Sequence, residues 1–67
     1  MKEDMQAILD LTDKIRSTLE LLEDECVCLQ VSQNPDLKKS LKFLLESTKC
    51  IAKDNKEIQD IIEWLPL

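Results

Sequence analysis

Glycine and histidine are both missing from this 67-residue chain, aromatic residues make up only 3% of it, and proline occurs twice. Each shortage excludes something. Without glycine, tight β-hairpin turns, phosphate-cradling loops and left-handed helix caps lose the residue they lean on. Without histidine, the commonest general base and the commonest metal ligand are gone. A chain this short buries a modest fraction of its surface, so it needs a staple, a metal or a partner. What is present is Leu, Ile, Lys, Glu and Asp, with 43% hydrophobic and 34% charged residues. That is the composition of helices packed on other helices, and the expected fold class is all-α.

Other classes fall away on the same grounds. No apolar run approaches the roughly 18 residues that span a bilayer. The stretch Met1-Lys2-Glu3-Asp4 is acidic where a signal peptide is basic. The expectation is an intracellular protein, cytoplasmic or nuclear, with no membrane partner. A net charge of −5 disfavours nonspecific nucleic-acid binding. The apolar residues are too many and too regular for a disordered acidic tail. Three cysteines fit a reducing compartment. Cys26 and Cys28 point roughly 200° apart around a helix and cannot bridge each other. With no His and only Cys50 besides, they make a poor zinc site. They read as small hydrophobes, with a redox or interchain role as the alternative.

Two helical frames are legible. From Met5, apolar residues recur every seven positions. Met5, Thr12, Leu19 and Cys26 form one row, and Ile8, Ile15, Leu22 and Leu29 the other, with Thr12 as the polar interruption. The frame stops at Ser32-Gln33-Asn34-Pro35-Asp36. There Asn34 suits an N-cap, Pro35 a first helical position and Asp36 a first turn. A second frame follows, with Leu37, Leu44, Ile51, Ile58 and Leu65 on one row and Leu41, Thr48, Asn55 and Ile62 on the other. Pro66 ends it. The expectation is one domain over residues 1–67, with helix 1 at about 3–31, a loop at about 32–34 and helix 2 at about 35–65. One continuous kinked helix is the alternative.

Charge argues for direction. Residues 1–33 carry three basic and eight acidic residues, whereas residues 37–53 carry five Lys against Glu46 alone. Folded back at the break, Glu25 approaches Lys42, Glu20 approaches Lys49, Asp13 approaches Lys53 and Asp10 approaches Lys56. Glu23-Asp24-Glu25 at the end of helix 1 and Lys38-Lys39 at the start of helix 2 oppose their own helix dipoles, and adjacency of the two ends offsets both. An antiparallel hairpin follows, with a solvated lysine face as the alternative reading.

A hairpin alone leaves apolar residues uncovered. Leu11, Leu21, Val27, Cys28 and Val31 on helix 1, with Phe43, Leu45 and Cys50 on helix 2, lie off the two seams. A second stripe implies a second neighbour. A four-helix bundle of two copies is the economical expectation, and a different helical protein the competing one. Thr12 and Asn55 are the expected register-setting polar core residues, facing each other or their symmetry mates. Ile58, Ile61, Ile62 and Leu65 have the spacing of a helix-in-groove ligand, with Trp64 as an anchor. The alternative places Trp64 as a cap over Met1 and Met5.

No catalytic, cofactor or metal residues are identified. Ser17, Ser32, Ser40, Ser47 and the cysteines have no imidazole to activate them, and the inward rows are aliphatic where a di-iron bundle needs Glu and His. The Lys38-to-Lys53 run lacks stacking aromatics and Arg, so no nucleic-acid or small-molecule partner is expected. The function expected is a structural self-assembly module. The alternative is an adaptor subunit that completes a hetero-oligomeric bundle in a chromosome-, cytoskeleton- or trafficking-associated complex, and a third reading is an acidic inhibitor of a basic partner. The stretch Asn34-Pro35-Asp36-Leu37-Lys38-Lys39-Ser40-Leu41-Lys42 resembles the loop and second-helix start of a small synaptonemal-complex central-element protein. Its elements are general helix-start chemistry, and no family is assigned from it.

Overall fold

The computed structural model describes residues 1–66; Leu67 at the end of the C-terminal stretch lies outside the described residues. Two α-helices pack against each other, α1 over Lys2–Val31 and α2 over Leu37–Glu63, and the described residues contain no strand. Glu3 and Asp4 sit in the first turn of α1, where the N-terminal end of the helix dipole favours negative charge. At its other end the Ser32 N–H donates to the Cys28 carbonyl at 3.0 Å. The backbone at Ser32 then turns extended, at φ −77° and ψ 134°.

The restart comes two residues later than expected. Asp36, not Asn34, caps α2, its carboxylate accepting from the Lys39 N–H at 3.1 Å. Pro35 therefore lies in the loop rather than at the first helical position. Both Asn34 and Asp36 are competent caps, and the backbone turns helical only at Leu37, which puts Asp36 in the cap position. The α-helix ends at Glu63, and the Trp64 N–H is shared between the carbonyls of Asp60 and Ile61, both at 3.2 Å.

Direction follows the expected antiparallel sense, and the contacts that hold it are different ones. The Ser40 hydroxyl donates to Glu25 at 2.6 Å near the loop. The Lys14 ammonium meets Asp54 at 3.5 Å further along. None of the four expected cross-helix ion pairs occurs among the described residues. Asp13 instead holds Arg16 at 2.9 Å, Lys56 holds Asp60 at 3.0 Å, and Asp10 accepts from Gln6 at 3.0 Å. Partners three or four residues away on the same helix are already neighbours and need no long reach across a groove.

One row of each expected seam meets the other helix. Ile8, Ile15, Leu22 and Leu29 are half-buried, as are Leu44, Ile51, Ile58 and Leu65. The second row of the contact is displaced by one residue from the expected one. On α1 it is Asp4, Leu11, Thr18 and Glu25; on α2 it is Ser40, Ser47, Asp54 and Ile61. Ser40, Ser47 and Asp54 are buried, Asp54 to 4% exposure, and Leu11 is the single buried apolar residue among those described. Ser40 and Asp54 are satisfied across the contact by Glu25 and Lys14, and the others locally: Ser47 donates to the Phe43 carbonyl at 2.9 Å and Thr18 to the Lys14 carbonyl at 3.0 Å. No buried polar side-chain atom lacks a partner among the described residues. Small side chains whose hydroxyls bond back to their own helix let two helices approach closely without orphaned groups.

Candidate functional site

The residues left outside this contact define the site. Met5, Thr12, Leu19 and Cys26 on α1, and Leu41, Thr48, Asn55 and Ile62 on α2, were expected between the helices and are all exposed. In an antiparallel pair, equivalent rows of the two helices lie on the same side of the contact. The hairpin therefore has two unlike broad sides. The Met5 and Leu41 rows flank the Ile8 and Leu44 rows to make one mainly apolar face, interrupted by Thr12, Thr48 and Asn55. The opposite side carries the Asp4 and Ser40 rows, and Lys14 reaches Asp54 there.

The molecule is extended for its length. The Cα dimensions are 53 × 15 × 12 Å, a slab one helix layer thick. The radius of gyration is 15.7 Å, against about 11 Å for a compact chain of this length. The accessible surface is 5633 Å², whereas a compact monomer of 7.8 kDa exposes about 4,400 Å². The excess, roughly 1,200 Å², is spread over the whole elongated slab. No side chain is fully buried among the described residues. The hairpin has a seam but no closed core.

Thr12 and Asn55, expected to face each other in the seam, sit instead on the exposed face. The Thr12 hydroxyl donates to the Ile8 and Leu9 carbonyls at 2.9 and 2.8 Å, and Thr48 to the Leu45 carbonyl at 2.7 Å. Asn55 makes no side-chain hydrogen bond among the described residues. Leu11, expected on the outer stripe, is buried between the helices. Leu21, Val27, Cys28, Val31, Phe43, Leu45 and Cys50 are exposed. Leu21, Cys28, Phe43 and Cys50 lie by heptad position on the polar side, where they form a smaller patch interrupted by Lys14 and Glu57. Leu45 borders the apolar face. The expected docking ladder divides: Ile58, Ile61 and Leu65 are half-buried, while Ile62 and Trp64 are exposed, Trp64 at 86%. Trp64 thus does not cap Met1 and Met5. It follows the last helical turn and has no hairpin surface beneath it.

Other chemistry is sparse. The described residues hold no cleft and no cluster of three metal-ligating side chains. No helix is long and apolar enough to cross a membrane. Cys26, Cys28 and Cys50 are unpaired and exposed. Lys56 is held protonated above the ordinary lysine value, chiefly by its hydrogen bond to Asp60 and then by the charges of Asp60 and Glu63. Comparison with protein families, with curated proteins and with solved structures finds no match.

Proposed function

We propose that this protein is a non-enzymatic self-assembly module, a helical hairpin whose apolar face closes against a second copy to make a four-helix bundle. The observation that carries this reading is the row exchange. Met5, Leu19, Leu41 and Ile62 are left outside the intramolecular contact, with Thr12, Thr48 and Asn55 among them, while Ser40, Ser47 and Asp54 are inside it beside Leu11 and Ile61. A chain that folded for its own sake would bury the apolar row and leave the serines in water. Closed twofold dimers are the commonest solution for such a face.

Sedimentation equilibrium with far-UV circular dichroism tests it. The expected result is a helical species of twice the 7.8 kDa chain mass at micromolar concentration. A largely unfolded monomer overturns it and points to an obligate foreign partner.

A second reading, an adaptor that docks on another helical protein, is favoured by Trp64. A tryptophan exposed at 86% at one pole is the kind of anchor that fills a partner's pocket. Trp64→Ala separates the two roles. Unchanged mass and helicity assign Trp64 to docking beyond the bundle, whereas loss of the assembly assigns it to the bundle.

A further inference from the structure

Two copies can close on the apolar face in two ways, and charge distinguishes them. A twofold axis across the helices sets α1 beside the partner's α1 and α2 beside the partner's α2, with the loops at opposite ends. A twofold axis along the helices sets each α1 beside the partner's α2, with both loops at one end. Over Lys2–Val31 there are three basic and eight acidic residues; over Leu37–Glu63 there are six and five. The first arrangement therefore lines a −5 helix against its own copy. The rims of the apolar face repeat the contrast. On α1 the rim carries Asp13, Glu20 and Glu23, and Arg16 is already held by Asp13 at 2.9 Å. On α2 it carries Lys42, Lys49, Lys56 and Glu63, all exposed, and Lys56 is already held by Asp60 at 3.0 Å.

We infer that the dimer is built on the lengthwise twofold axis, each acidic α1 lying antiparallel against the partner's lysine-edged α2, with both loops at the same end. This rests on the self-assembly reading above and specifies its geometry. Rotation about a lengthwise axis leaves every residue at its own height, so the levels within one hairpin carry over between copies. Glu25 is level with Ser40 and Lys14 with Asp54. On the outer rows this sets Glu20 opposite the partner's Lys49, the pair free of local ion pairs; Asp13 and the partner's Lys56 also share a level, each already held on its own helix by Arg16 and Asp60. It also sets Thr12 opposite the partner's Asn55, which gives an amide with no hydrogen bond within the hairpin a hydrogen-bonding neighbour twice per dimer. The crosswise arrangement sets Glu20 in an acidic environment and Lys49 in a basic one, a juxtaposition that disfavours association.

Two measurements on the full chain test it. In a background of Cys26→Ala, Cys28→Ser and Cys50→Ser, with dimer mass and helicity verified, a nitroxide on Gln33→Cys in the loop reports the loop-to-loop distance. Same-end loops give about 15–30 Å; opposite-end loops give about 45 Å or more, the length of α1. A dimer with the long distance overturns the geometry and leaves self-assembly standing. Absence of a dimer overturns both. Independently, Glu20→Lys in the native background weakens the dimer about tenfold, and adding Lys49→Glu restores it. Tighter association on Glu20→Lys alone, as acidic helices side by side require, overturns the inference without any label.

Discussion

The two broad sides of the hairpin use the same helices for opposite ends. On one side Ser40, Ser47, Asp54, Thr18 and Glu25 lie against the other helix, satisfied by one ion pair, one cross-helix hydrogen bond and bonds back to their own backbone. On the other side the aliphatic rows are half-buried or open to water. The difference teaches that the side with more hydrogen bonds is not the side with more driving force. A net hydrogen bond contributes about 1 kcal/mol and an exposed ion pair about 0–1 kcal/mol, whereas full burial of one leucine contributes about 2 kcal/mol. The polar side sets direction and level; the apolar side holds the larger reserve of stabilisation, realised when something covers it.

The comparison breaks most completely at the row shared by both contacts. Ile51→Asp places a carboxylate where the helices meet and should cost more than about 3 kcal/mol, seen as joint loss of helical signal and of assembly. On the apolar face alone, Leu19→Glu or Leu41→Glu should cost about 2–3 kcal/mol of association, read from sedimentation over a concentration series. For a hairpin that functions uncovered, the same exposed substitutions would change stability by no more than about 0.5 kcal/mol. Asn55→Leu should stabilise the helices by about 1–2 kcal/mol while broadening the distribution of assembly states, and an unchanged single mass would remove Asn55 from any register role. On the polar side, Ser40→Ala deletes the hydrogen bond to Glu25 and should cost about 1 kcal/mol in chemical denaturation, with the assembly mass unaltered.

Much of the fold is legible in the sequence. The two helices, the break near Pro35 and one aliphatic row on each helix follow from heptad spacing and cap chemistry. The cap itself was missed by two residues because Asn34 and Asp36 are both competent and only backbone geometry ranks them. The cross-helix ion pairs were misassigned because opposite charge along two helices specifies an average attraction, not which lysine meets which acid; Arg16 and Asp60 intercept Asp13 and Lys56 locally. The interface residues were partly misplaced for a related reason. Leu11 looked like part of an outer stripe and Thr12 like part of a seam, and a rotation of one row exchanges them. A serine row flanking an aliphatic row, Ser40 and Ser47 beside Leu44 and Ile51, was the signal available for the true contact.

By itself the sequence determined that this chain is helical, that it breaks once, and that it carries more apolar surface than two helices can hide from water, because periodicity and composition act over single helices. Which flanking row turns inward was decided only by the tertiary structure. An aliphatic row has a neighbour on either side, about 50° away around the helix, and spacing treats the two alike. The choice depends on how closely the second helix can approach, which Ser40 and Ser47 permit, and on which polar groups find partners across the gap, as Glu25 and Asp54 do.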